Sequence, residues 1–287
     1  MKLDEINIRD PFILPFEGRY YLYGTRGYNA WEQPADLTTL GFDVYVSEDL
    51  LEWSAPIEVF SYSKAFPADQ NFWAPEVHYY QGRFYMFATF ICQGQRRGTY
   101  ILAADHPTAW FEPHSEGAIT PSDWECLDGT FYVDQTGTPY MIFCHEWKQI
   151  KDGTISSVQL TPDLTRAVST PRTLVTASSP AWVRVEENRF VTDGPFVYTT
   201  KTGEVLLFWS SMKEDAYVEA IALAENGDIN GNWLNAAEPF FAKDGGHGMV
   251  FTSFDGKLYF VLHQPNDREK EHPILFEITD EQLLSYF

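Results

Sequence analysis

Apolar residues in this chain come in short paired runs, each pair broken by a glycine turn. The clearest unit opens at Trp124-Glu125-Cys126-Leu127-Asp128-Gly129 and runs through Thr130-Phe131-Tyr132-Val133. It turns at Gly137 and returns as Tyr140-Met141-Ile142-Phe143-Cys144 before ending in polar groups at His145-Glu146. Apolar runs of this length around a tight turn predict a β-hairpin whose two free ends lie at one rim, bringing Asp128 and Glu146 near each other. The unit recurs four more times. Asp10-Pro11 opens a pair that turns at Gly18, Ala74-Pro75-Glu76 one that turns at Gly82, Asp193-Gly194-Pro195 one at Gly203, and Gly246-His247-Gly248 one at Gly256. Turn glycines spaced by 64, 55, 66 and 53 residues, with strands and no helical unit between them, predict an all-β, five-bladed β-propeller spanning residues 1–287 as one domain.

Third strands are expected at Phe42–Val46, Thr99–Ala104, Gly153–Leu160, Tyr217–Leu223 and Pro273–Ile278. Alternation at Ile6 and Ile8 suggests a short strand completing the last blade. Thr279 to Leu284 reads as a capped helical turn. Two longer connections, 26–41 (with Tyr28 and Trp31) and 161–190, are placed to cover the rim.

The polar openers Asp10, Glu76, Asp128, Asp193 and His247 are expected at equivalent positions of the five inner strands. Each alone reads as a turn residue. Four carboxylates and a histidine converging on one axis are electrostatically costly, and a site gives a reason for them. A formal charge of −21 argues against nucleic acid and anionic membrane surfaces as partners and favours a small neutral oligosaccharide over a polyanion. Aromatic content of 16% serves both blade packing and stacking on sugars. Three cysteines without a close pair read as reduced, buried thiols. The start of the chain has no apolar leader pattern, and no stretch is long and apolar enough to span a membrane, so the expected location is cytoplasmic.

Together Arg9-Asp10-Pro11, Trp73-Ala74-Pro75-Glu76, Leu127-Asp128-Gly129, Thr192-Asp193-Gly194-Pro195 and Gly246-His247-Gly248 resemble glycoside hydrolase family 43 over essentially the whole chain. The resemblance implies an inverting hydrolase of arabinofuranosyl or xylosyl linkages on a five-bladed propeller. It implies Asp10 as general base, Asp128 as the carboxylate that tunes the acid, and His247 as the axial histidine that in some members holds a calcium ion. The acid position departs from the family's Glu-Gly-Pro, because Asp193 stands there, one methylene shorter; Glu146 is the alternative acid and Glu76 a further candidate. Arg9, Trp73, Glu76, Trp147 and Trp209 are candidate sugar contacts, and His145 and His263 candidate pocket residues. His247 reads equally as a hydrogen-bonded core residue or as a metal ligand.

Overall fold

The computed structural model describes residues 1–27, 36–183 and 189–287, so the expected recognition residues Tyr28 and Trp31 lie outside the described residues. Five antiparallel sheets form the fold. Blade one is β1 (Ile8–Phe16), β2 (Arg19–Arg26), β3 (Gly41–Ser47) and β4 (Ile57–Ser61). Blade two is β5 (Ala68–Tyr80), β6 (Arg83–Cys92), β7 (Arg97–Ala104) and β8 (Glu112–Pro113). Blade three is β9 (Cys126–Val133), β10 (Pro139–His145), β11 (Thr154–Gln159) and β12 (Arg172–Thr176). Blade four is β13 (Asp193–Thr199), β14 (Val205–Lys213), β15 (Ala216–Ala224) and β16 (Trp233–Asn235). Blade five is β17 (Gly246–Thr252), β18 (Leu258–Gln264) and β19 (His272–Ile278). Each opening strand touches the next, and β17 touches β1, so the five inner strands close into a ring and the chain is a five-bladed β-propeller.

Blade five has three strands, and the expected strand before β1 is absent. Residues Leu3–Glu5 instead make one 3-10 turn that packs on β19. The chain there spends its polar groups on the last blade's connection: the Asn7 amide donates to the carbonyls of Glu271 (2.8 Å) and Arg268 (3.2 Å). At the other end the helical turn forms as expected, Asp280–Leu284, with Thr279 and Gln282 making a reciprocal capping box.

Large rings fill the space between blades. Phe42, Phe60, Phe72 and Phe90 interlock between blades one and two, with centroids 4.9–6.2 Å apart. Trp209 is fully buried and lies near-parallel to Trp182, so it packs between blades and is no sugar contact. All three cysteines are buried and free.

Candidate active site

The opening strand of every blade is broken by a bulge at the same place, seen as a register jump from Arg9 to Phe12, Trp73 to Glu76, Asp193 to Phe196 and Gly246 to Met249, and in blade three opposite Ile142 and Cys144. One residue of each bulge has left-handed φ: Asp10 (54°), Ala74 (46°), Asp128 (56°), Gly194 (50°) and His247 (52°). A bulge sets two residues against one, so consecutive side chains face the same rim. Arg9 and Asp10 both line the pocket, as do Leu127 and Asp128. The five sequence-predicted openers are therefore not equivalent. Asp10, Asp128 and His247 occupy the bulge; Asp193 stands one residue before it and Glu76 two after. The difference matters for Glu76, which does not line the pocket and pairs with His78 Nε2 at 3.1 Å.

The residue after each left-handed one is Pro11, Pro75, Gly129, Pro195 or Gly248. Proline brings no N–H into this buried ring; glycine does, and it must be met. The Gly129 N–H is accepted by Thr99 Oγ1 (3.1 Å) and the Gly248 N–H by Glu219 Oε2 (3.2 Å). Glu219 is wholly buried and also accepts from the Ser210 hydroxyl at 2.6 Å. Burial pushes its pKa up to about 8.

These strands surround a cavity of about 530 Å³. Trp73, Trp147 and Met212 supply apolar wall; Asp10, Asp128, Glu146, Asp193, Arg9 and His247 supply charge. His247 Nδ1 lies 3.0 Å from Asp10 and 3.8 Å from Asp128. Burial opposes charging this imidazole, but the two carboxylates outweigh it and raise its pKa to about 10. Burial works against the Asp10 carboxylate too, yet His247 and Arg9 beside it hold it well below the usual carboxylate range. Thr25 adds a 2.6 Å hydrogen bond to Asp10 Oδ2. Asp193 goes the other way: burial first, then the charges of Asp128 and Glu146, raise it to about 7. The Tyr217 hydroxyl donates to its Oδ2 at 3.1 Å. Asp128, raised to about 6 by burial, accepts the Gly194 N–H on Oδ2 at 3.1 Å. Gly194 has to be glycine: a Cβ there would fall 2.5 Å from the His247 ring.

Glu146, the other candidate acid, receives Arg97 Nη1 at 2.6 Å. Arg97 also bonds Asn71 and lies over the Trp73 ring, 4.9 Å from its centroid. Two expected pocket histidines sit elsewhere. His263 is fully buried beneath Asp10, its Nδ1 accepting the Asp10 N–H at 3.2 Å; burial and then Arg9 keep it neutral. His145 stacks on Trp124 at 4.1 Å and pairs with Gln149. Sequence reasoning missed Arg97, Tyr217 and Asn266, which all line the cavity. They come from third strands and from the connection after β18, where no opening motif marks them.

A calcium ion on His247 would need a neutral imidazole with a nitrogen to give, and oxygen ligands around it. Here Nδ1 faces Asp10 at 3.0 Å. Among the described residues no group of three or more His, Cys, Asp or Glu is disposed to hold a metal ion. The structure offers His247 as a single protein nitrogen at this place, so a calcium ion on the axis would be held mostly by water.

Two carboxyl groups lining one axial cavity of a propeller, one shifted down and one shifted up from the usual range, are the equipment of a general acid–base hydrolytic enzyme. The chain belongs to the glycosyl hydrolases family 43, which it matches over residues 5–279. An endo-arabinase structure from Bacteroides thetaiotaomicron superposes with a TM-score of 0.87 at 36% identity, covering 97% of this chain and 96% of that one. An alpha-L-arabinofuranosidase 43 of Humicola insolens is 26% identical over 71% of this chain. A probable arabinan endo-1,5-alpha-L-arabinosidase C of Aspergillus niger is 23% identical over 66% of it. The chain spans 44% and 64% of the lengths of those two relatives.

Proposed function

We propose that this protein is an inverting glycosidase acting on arabinofuranosyl linkages of plant-derived oligosaccharides, with xylosides next in line. The single observation that carries the reading is the convergence of Asp10, Asp128 and Asp193 on one cavity of a family 43 propeller, with Asp10 shifted below and Asp193 above the usual carboxylate range. Asp10, held anionic by His247 and Arg9, takes a proton from the attacking water. Asp193, still protonated near neutral pH, gives its proton to the departing glycosidic oxygen. Asp128 keeps that proton on Asp193 by like-charge repulsion. Glu146 is engaged by the Arg97 guanidinium at 2.6 Å, while among the described residues Asp193 is met only by the neutral Tyr217 hydroxyl, so we assign the acid role to Asp193. Trp73 and Trp147 offer ring faces for the apolar side of a neutral sugar. The similarity to an endo-arabinase and to arabinan-degrading relatives supports arabinose as the sugar.

The test is hydrolysis of alkyl and p-nitrophenyl α-L-arabinofuranosides and of arabino-oligosaccharides. Asp10→Asn is expected to abolish turnover of all of them. Asp193→Asn should lower kcat by roughly 10²–10⁴-fold on the alkyl glycoside and far less on p-nitrophenyl, whose leaving group needs little protonation. Glu146→Gln should act mainly on KM. A folded wild type inert on every arabinoside and xyloside sinks the substrate assignment; full alkyl activity in Asp193→Asn sinks the acid assignment.

A further inference from the structure

Four of the five seams between neighbouring blades are closed by the same hydrogen bond. Near the end of each second strand, one side chain stands opposite the residue before the bulge: Thr25 opposite Arg9, Thr89 opposite Trp73, Ser210 opposite Asp193, His263 opposite Gly246. Each accepts the N–H of the left-handed residue of the next blade. Thr25 takes Ala74 (2.7 Å), Thr89 takes Asp128 (2.8 Å), Ser210 takes His247 (2.6 Å) and His263 Nδ1 takes Asp10 (3.2 Å). The bond fastens each blade's functional position to the blade before it.

The fifth seam lacks this acceptor. Opposite Leu127 stands Cys144, and a thiol is a weak acceptor. The N–H due to be met there belongs to Gly194, next to Asp193, and it is taken instead by Asp128 Oδ2 at 3.1 Å. So the exception falls at the seam between the tuning carboxylate and the acid. Cys144 is completely buried and does not line the cavity.

We infer that Cys144 is a positioning residue. By withholding an oxygen acceptor at this one seam it leaves the Gly194 N–H to the Asp128 carboxylate, and so locks the tuning carboxylate to the strand that carries the acid. The thiol stands close to both groups: burial raises its pKa well above the usual range, and the charges of Asp128 and Asp193 add to that rise. A hydroxyl at 144 would restore the bond of the other four seams and release Asp128 from Gly194. The inference rests on the reading of Asp193 as the acid.

Cys144→Ser and Cys144→Ala separate positioning from packing. A packing role makes alanine, which leaves the larger void, the worse substitution, and it acts on every substrate alike. The positioning role reverses the order. Cys144→Ala keeps the Asp128 link and should hold kcat within about twofold, while Cys144→Ser should lose about tenfold or more in kcat on the alkyl arabinofuranoside, with KM unchanged and p-nitrophenyl turnover much less affected, as a misplaced acid requires. A Cys144→Ser enzyme matching wild type on the alkyl glycoside, or an alanine variant slower than the serine one, overturns the inference. The ¹H–¹⁵N signal of Gly194 reads the link without substrate. It should shift alike in Asp128→Asn and Cys144→Ser and stay put in Cys144→Ala; an unmoved signal in Cys144→Ser also overturns the inference. If Asp193→Asn proves fully active on the alkyl glycoside, the acid assignment fails by itself, and the Gly194 signal still tests the link.

Discussion

At neutral pH the cavity holds its charge asymmetrically. Asp10 is held anionic beside His247 and Arg9, while Asp193, next to the Gly194 whose N–H bonds Asp128 across the blade seam, is raised to about 7. Because the Asp193 pKa is raised to about 7, the competent protonated form is present below that value and is lost as pH rises through it. The rate on an alkyl arabinofuranoside should therefore fall above about pH 7. Asp128→Asn removes one of the like charges that raise Asp193, so this basic limb should move down by about one pH unit in a kcat/KM profile. A limb that stays in place would remove Asp128 from the tuning role. The candidate carboxylates were legible because Asp before Gly or Pro recurs; their spatial ranks were not. Glu76 departs from that motif, following its proline instead of preceding it, and it pairs with His78 instead of lining the cavity. Tyr217 and Arg97 carry no local signal at all. Only the register of third strands brings them to Asp193 and Glu146.

The opening strand with its bulge is the working element. Its left-handed residue costs about 1–2 kcal/mol where it is not glycine, and it persists because the preceding blade's hydroxyl or imidazole holds its N–H. Two substitutions examine this. Gly194→Ala drives a Cβ into the His247 ring at a φ of +50° and should destabilise the fold by about 3 kcal/mol while erasing activity, read by thermal melting and turnover. Ser210→Ala leaves the buried His247 N–H without its acceptor and should cost about 1–3 kcal/mol. A Ser210→Ala melt equal to that of wild type would show the seam bond to be dispensable. Hairpins and third strands were readable from apolar runs and glycine turns. The segment before β1 was misread because Ile6 and Ile8 alternate like a strand, whereas Ile8 already opens β1 and the Leu3–Glu5 stretch before Ile6 coils into a turn against β19.

As a whole the molecule is a ring of five near-copies, and that periodicity is why the fold was open to reading while the site was not: a repeat reveals its average, and chemistry lies in the departures from it. One departure has a bulk signature. Glu219 is raised from 4.5 to about 8, so the stability held by its protonated form is fully present below about 4.5 and is lost as pH rises through about 8. Glu219→Gln, with no proton to lose, should flatten the decline in Tm between about pH 5 and 8. An unchanged slope would deny Glu219 that part. The five bulges also amount to five equivalent mounting points around the ring. Asp10, Asp128 and His247 fill three, and the His247 ring lies across the fourth at Gly194. The fifth holds Ala74, already left-handed, buried and fastened through Thr25. Asparagine and aspartate tolerate that conformation better than alanine does. The scaffold thus carries a ready socket into which a further functional group can be set without rebuilding the backbone.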